Sequence, residues 1–289
     1  GRDRVETDLP LDQKNLLKKI YNEKHKIQEI ETRDLSLSIQ IAKNKFNASQ
    51  NDSKQLMGDY TLFSGMTDWN PAEIVGKRPN TLAISLYNSM ITDDVWAIQR
   101  SEFGYKNVRP TKLVHNFCSQ PYVDIRASLN SFIPSSVPNE TAIKIINAYL
   151  DILKNNPSLH DKVELEVAFT IWTPNLINEV KKRLSKAILS NEELNLFENS
   201  LKEITIRAFD RLDSDISQIH NLNDRYLTII DSDLPYIDKI NNLLSDCLSH
   251  GTLPFAHAAR AGFIAIIILR SCVKTGHLSK ERMFEFQST

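Results

Sequence analysis

Glycine is scarce in this chain: there are eight in 289 residues, and none between Tyr105 and His250. Glycine supplies the left-handed turns that join many short strands, so its scarcity argues against a turn-rich β architecture and for helices. Cysteine is scarcer still. Cys118, Cys247 and Cys272 are odd in number, far apart and set among apolar residues, which leaves no CxxC, no Cys/His metal spacing and no disulfide framework. Buried free thiols in a reducing, cytoplasmic setting are the expectation. Neither sign of charge is in excess: 35 basic and 36 acidic residues give a formal net charge of −1. That balance supplies no overall attraction for nucleic acid or for an anionic membrane, and neither is expected as a partner. Long apolar runs are missing too. The longest, Ala261 to Leu269, is about half of the roughly 20 residues that cross a bilayer. The polar, charged N-terminus shows no secretory pattern. Nucleotide and catalytic signatures are also absent: there is no GxxxxGK(S/T) loop, no GxGxxG after a strand, no GxSxG elbow and no kinase HRD/DFG set.

What is there describes a soluble globular protein, with 41% hydrophobic and 25% charged residues. Helical spacing of Leu16, Leu17, Ile20, Ile27 and Ile30 predicts a helix over Leu11 to Glu31. Leu35, Leu37, Ile39 and Ile41 alternate, which fits a strand or a second helix, and Asn47 to Ser53 reads as a polar linker. A helix is expected from Asn80 to Phe103, broken near Thr92-Asp93-Asp94, with Thr92 as a new N-cap. Three strands are expected next: Leu113–Cys118, Tyr122–Asn130 and Val163–Ile171. The second would place Asp124, Arg126, Ser128 and Asn130 on one polar face, and Ser119-Gln120-Pro121 would close a hairpin. Glu140–Asn155 is an amphipathic helix, and beyond Pro174 the chain reads as helices, with capping signals at Ser190–Glu193 and Ser279–Glu281. The fold class is therefore α+β, predominantly helical with a small antiparallel sheet. Its divisions are an N-terminal helical segment and linker (1–62), a loop/helix/sheet substrate-binding core (63–175) and a C-terminal helical part packed on it (176–289).

Chemistry concentrates between Gly65 and Pro134. Gly65, Gly76 and Gly104 lie there with two of the three tryptophans and with Arg78, Arg100, Arg109 and Arg126. Glycine admits close backbone approach, aromatics exclude water, and arginine grips carboxylate or phosphate with two prongs. Asn70-Pro71-Ala72-Glu73 reads as a helix start, with Asn70 as N-cap and Pro71 at the first helical position. Gly65, Met66, Asp68 and Trp69 just upstream are left without that explanation. Arg126 beside Asp124 and Asn130 would hold both ends of a zwitterion. His257 and Arg260 share a helical face among small residues; one structural histidine on a packed helix is the default, and a phosphoryl role the sharper alternative. No metal-ligating set is present.

The run Gly65-Met-Thr-Asp-Trp-Asn-Pro-Ala-Glu-Ile-Val-Gly76 resembles enzymes of the phosphoenolpyruvate synthase/pyruvate phosphate dikinase type. So do Ser85-Leu86-Tyr87, Ile91-Thr92-Asp93, Phe103-Gly104-Tyr105, Pro121 to Arg126, Asn130 to Pro134 and Gly251 to Ala256. The resemblance spans roughly residues 60–175 and 250–289, and is nearest to the bacterial L-glutamine kinases of capsular polysaccharide (O-methyl phosphoramidate) biosynthesis. It implies an ATP-grasp region using ATP and Mg, a swivelling phosphohistidine domain, and a central domain that binds L-glutamine. The signatures of the first two are missing here, and the chain begins with Gly1 rather than Met. The expectation is the central acceptor domain of a longer kinase, without a cofactor of its own and inactive alone, with the other two domains as partners. The candidate acceptor-binding residues of such a domain are Gly65, Met66, Trp69, Asn70, the four arginines, Asn130, His257 and Arg260. Asp68, Glu73 or Asp124 would take the amide proton. An acceptor domain for pyruvate, a sugar or another amino acid, or a non-catalytic helical docking scaffold, are the competing readings.

Overall fold

Where strand-like alternation and helical spacing compete in this sequence, the helix wins most of the contests. The structure is a computed structural model that describes residues 35–51, 56–65 and 67–288. The helix expected over Leu11–Glu31 and the candidate Met66 lie outside the described residues. The chain divides into two compact units, Gly1–Asn51 and Asp52–Thr289. In the first, α1 (Leu35–Asn51) turns the ambiguous alternation into helix, because Ile39, Ala42 and Phe46 also recur three and four residues apart. It runs through Asn47–Asn51, so the expected linker does not begin at Asn47.

The second unit is predominantly helical and carries one three-stranded antiparallel sheet. Strands β1 (Phe63–Ser64), β2 (Val114–Phe117) and β3 (Gln120–Asp124) lie in the order β1-β3-β2, with Phe63 opposite Asp124 and Val114 opposite Val123. The hairpin turn is Cys118-Ser119, with φ of 51° and 62°, the backbone that matches strand twist in a two-residue loop. Gln120 and Pro121 already belong to β3, so the link is tighter than the sequence suggests. Val114 and Val123 point into the core. Phe63, His115 and Phe117 pack ring to ring on the sheet, with centroids 5.0 to 6.2 Å apart.

Two expected strands are corrected. β3 ends at Asp124, and Ile125–Asn130 is a short helix, α5. Asp124 caps it, accepting the Ala127 N–H at 3.0 Å. All six residues of α5 are buried, so their alternation carries no inside–outside information and the expected polar strand face does not exist. Val163–Val167 forms a π-helical turn instead of a strand, with Val163 and Val167 buried one turn apart; the third strand is Phe63–Ser64.

The remaining helices are α2 (Pro71–Ile74), α3 (Thr81–Tyr87), α4 (Val95–Phe103), α6 (Asn139–Asn155), α7 (Leu176–Arg183), α8 (Asn191–Asp210), α9 (Leu212–Ile230), α10 (Tyr236–Asp246), α11 (Leu253–Lys274) and α12 (Lys280–Gln287). The break before α4 falls where expected, but Asp94 is its N-cap, and Thr92 bonds back to Asn88 at 3.1 Å. Capping holds at Ser190–Glu193 and at Ser279. Cys118 and Cys247 are exposed and Cys272 half-buried, correcting the expectation of buried thiols: one sits in the hairpin turn and one in a π-turn.

Three apolar clusters hold the unit together. One joins α5, α6 and α8 through Ile125, Leu129, Tyr149 and Phe197. A second lies between α4 and the sheet, around Trp96, Leu113 and Val123. The third ties the end of α4 to α8 and α11 through Phe103, Tyr105, Ile204 and Ile264. α4 ends at Gly104, at φ 110°, where a Cβ would stand 2.8 Å from Arg207 Nη1 and 3.3 Å from Ile204 Cγ1; only glycine fits. From α10 through a π-turn (Cys247–Thr252) to α11 the helix is continuous. By length and composition Tyr236–Lys274 is apolar enough to cross a membrane. Its inward face carries buried His257 and Arg260, both ion-paired to the rest of the unit.

The α8 cap makes an acid-side prediction. The Lys144 ammonium, then the Ser190 N–H and the Thr141 hydroxyl, hold Glu193 down at about 2 from an ordinary 4.5. A depressed carboxyl stabilises the fold above its unfolded pKa and loses that contribution as pH falls through the folded value. Melting temperature followed from pH 5 to pH 2 should therefore fall less steeply in Glu193→Gln than in the wild type.

Candidate functional site

The loop after β1 contains three consecutive left-handed residues, none of them glycine: Asp68 (φ 26°), Trp69 (57°) and Asn70 (23°). Such residues cost on the order of 1–3 kcal/mol each and persist only where the surroundings enforce them. Asn and Asp tolerate this region; a tryptophan there is a true outlier. The enforcement is visible. Arg100 Nη2 donates to both Asp68 oxygens at 2.6 Å, and Ser128 Oγ donates to Asp68 Oδ2 at 2.7 Å. Tyr87 OH donates to the Trp69 carbonyl at 2.8 Å. Asn70 caps α2, accepting from Glu73 N at 3.2 Å.

Arg100 is the first of two buried arginines laid against one aromatic ring. Its guanidinium carbon lies 3.8 Å from the Phe132 centroid, and that of Arg260 lies 4.9 Å away. Arg260, from α11, pairs with Glu164 of the π-turn and donates to Tyr105 OH at 3.0 Å; Tyr105 in turn donates to the Thr170 carbonyl. Glu164 also stands 3.9 Å from Arg100, and Arg100 Nη1 donates to Ser131 Oγ at 2.5 Å. The chain Asp68–Arg100–Glu164–Arg260 thus alternates in sign, with both arginine side chains 4% exposed. Burial opposes the charge of Arg260, but Glu164 and then Tyr105 outweigh it and hold the guanidinium above its ordinary range. Burial also pushes the Tyr105 phenol up, so it stays protonated and bonds as a neutral hydroxyl.

Over this network opens a cavity of about 360 Å³, within the size range of small-molecule sites. Its lining comes from the strained loop, from Gln99 and Arg100 of α4, from Ser128 and Phe132, from His160–Leu165, and from one face of α11. The floor is polar. Exposed Ile74, Phe255 and Phe263 make an apolar rim. Three cationic residues (Arg100, Lys162, Arg260) face four anionic ones (Asp68, Glu73, Asp161, Glu164).

Of the residues singled out in the sequence, Asp68, Trp69, Asn70, Glu73, Arg100 and Arg260 come together here. The others do not. Arg78 and Arg109 are exposed on the surface, where solvent competes for them. Gly65 has ordinary backbone, and a Cβ there would meet nothing within 4 Å, so no close approach requires a glycine. Asp124 is a buried cap that also takes the Thr61 hydroxyl at 2.5 Å, which removes it from the candidate bases. Asn130 pins the backbone of residue 57 at both ends of its amide. Arg126 is buried and donates to the Gly58 carbonyl at 3.1 Å. The zwitterion clamp of Arg126, Asp124 and Asn130 is therefore not formed: Arg126 and Asn130, one turn apart on α5, both serve the backbone of residues 57 and 58, and Asp124 is engaged as the helix cap and by Thr61.

His257 lies one turn before Arg260 yet joins a different cluster. Asp215 Oδ1 is 3.3 Å from its Nδ1 and Glu102 Oε2 is 3.1 Å from its Nε2, with Arg211 Nη2 3.1 Å from Nδ1. Burial, then Arg211, lower its pKa against the pull of Asp215 and Glu102. Ser128, expected on the polar face of a strand, reaches the site from a helix instead, and Phe132, Tyr105 and Glu164 were not expected there. Glu164 lies 96 residues from Arg260, and its apparent strand pattern disguised it. Among the described residues no group of three or more His, Cys, Asp or Glu is placed to hold a metal. Comparison with protein-family models, with curated proteins and with solved structures finds no match to this chain.

Removing one partner of a buried pair strands the other charge, at a cost of about 3–5 kcal/mol. Asp68→Ala should destabilise by that amount in urea denaturation, whereas exposed Glu73→Ala should cost no more than about 1 kcal/mol.

Proposed function

We propose that this cavity is the acceptor site of an ATP-dependent phosphotransferase and that its acceptor is L-glutamine, phosphorylated on the amide nitrogen. The observation that carries the proposal is the alternating arginine–carboxylate floor beneath a strained loop. A lining with three cations and four anions suits a zwitterion and disfavours a polyphosphate. ATP and Mg accordingly act elsewhere, in the ATP-grasp region that the family resemblance implies. The motifs of residues 65–76, 103–105 and 130–134, on which that resemblance rests, border or build this network.

The residues of the chain divide the work. Asp68 has both oxygens engaged by Arg100 and one also by Ser128, so it positions the loop and does not accept a proton. Glu73 stands exposed on the rim, with Oε2 bonded by Asn70 Nδ2, and is the carboxylate available to take the amide proton. Lys162, also exposed, steadies charge on the transferring group. A phosphohistidine from another domain supplies the phosphoryl group: its N–P bond breaks as the amide N–P bond forms. Phe255, Phe263 and Ile74 at the mouth exclude water when that domain docks.

Isothermal titration of the purified chain with L-glutamine, L-glutamate and L-asparagine tests the proposal. Saturable binding selective for glutamine is expected, weakened at least tenfold in a folded Arg260→Met variant. No heat with glutamine from a cooperatively folded sample, or equal affinity for all three, would sink it.

A further inference from the structure

Two buried donors that line the cavity have no partner in the protein: Gln99 Nε2 and Arg260 Nε. Both residues are 4% exposed, and they come from different helices, α4 and α11. Buried polar groups in folded proteins are almost always bonded, so each such vacancy asks for an occupant. Three other side chains with unpartnered buried atoms, Trp96, Thr170 and Arg126, do not line the cavity. Among the described residues the other buried side-chain amide is engaged: Asn130 holds residue 57, and half-buried Asn147 holds Asp59. Asp68 already serves Arg100 and Ser128, and one oxygen of Glu164 serves Arg260 through Nη1. What Gln99 Nε2 and Arg260 Nε lack is an acceptor, and both side chains border the cavity.

We infer that Gln99 is the specificity-determining residue of this site, donating through Nε2 to a carbonyl oxygen of the ligand, with Arg260 Nε as the second donor. The ligand class is a small molecule with a carboxamide or carboxylate end. The inference rests on the cavity being an acceptor site. If the ligand is L-glutamine, its carboxamide oxygen lies against Gln99, which leaves the amide nitrogen free to face the mouth and the incoming phosphoryl group. A buried reader left unpaired by the wrong ligand also rejects it, which is how polar sites discriminate strongly.

The test combines Gln99→Met with NMR of the ¹⁵N-labelled chain. The Gln99 side-chain NH₂ signals are identified by their loss in the variant. Wild type is titrated with L-glutamine, L-glutamate, L-asparagine and pyruvate. The expected result is that glutamine shifts the Gln99 NH₂ signals and that the variant binds it about tenfold more weakly. The free variant should melt no lower than wild type, since it removes an unpaired buried amide. Glutamine binding with unmoved Gln99 signals, or with unchanged affinity in the variant, overturns the inference and leaves the acceptor proposal standing. Gln99 signals that respond to another of the four, but not to glutamine, keep the inference and remove glutamine as the acceptor. Silence with all four overturns both. A variant that melts well below wild type, with wild-type Gln99 signals unmoved, assigns Gln99 a structural role.

Discussion

Two arginines share the ring of Phe132, and each is held there by a carboxylate from a different part of the chain. Asp68 comes from the loop after β1, Arg100 from α4, Glu164 from the π-turn and Arg260 from α11. Burying four charges is costly unless they pair, so the pairs bind these four segments into one arrangement. The Asp68–Arg100 pair also enforces the left-handed loop, which in turn aims Asn70 and Glu73 at the cavity. Remove the pairing and both the strained loop and the floor of the cavity lose their reason to exist.

A network of this kind has consequences for chemistry. Its charges are largely satisfied within the protein, so it orients a ligand more than it attracts one. The rim, by contrast, keeps Glu73 and Lys162 exposed. For the transfer proposed above, a fixed floor and an accessible rim divide positioning from reaction. The neighbouring cluster of His257, Asp215, Glu102 and Arg211, in which His257 and Asp215 are buried and Glu102 is exposed, anchors α11 one turn away from Arg260.

Periodicity misled at two places for the same reason. In Tyr122–Asn130 and in Val163–Ile171 apolar residues fall on alternate positions, which reads as a half-exposed strand. Residues 125–130 are buried on every side, and Glu164 is drawn inward by Arg260, so in neither case does alternation mean one face in and one face out. Asp124 looked like part of a polar face and is instead the cap that ends the strand. The candidate arginines illustrate the same limit. Arg78, Arg100, Arg109 and Arg126 are alike in sequence, and only Arg100 reaches the cavity.

Helical dominance, the small antiparallel sheet, the hairpin near residue 119, the cap at Asn70 and the capping box at Ser190 were determined by the sequence alone. The hairpin and the two caps depend on propensities and hydrogen bonds that reach no farther than a few residues, and local chemistry suffices for them; the third strand does not, since Phe63 pairs with Asp124 from far along the chain. The stretch from Gly65 to Pro134 was likewise legible as the place where chemistry gathers, because glycines, tryptophans and arginines cluster there. Tertiary structure alone decided which charges meet. Glu164 joins Arg260 across 96 residues, Tyr105 meets Arg260 across 155, and the buried Gln99 Nε2 is left without a partner. No local rule encodes such pairings, since they follow from which buried surfaces pack together, and that is a property of the whole chain.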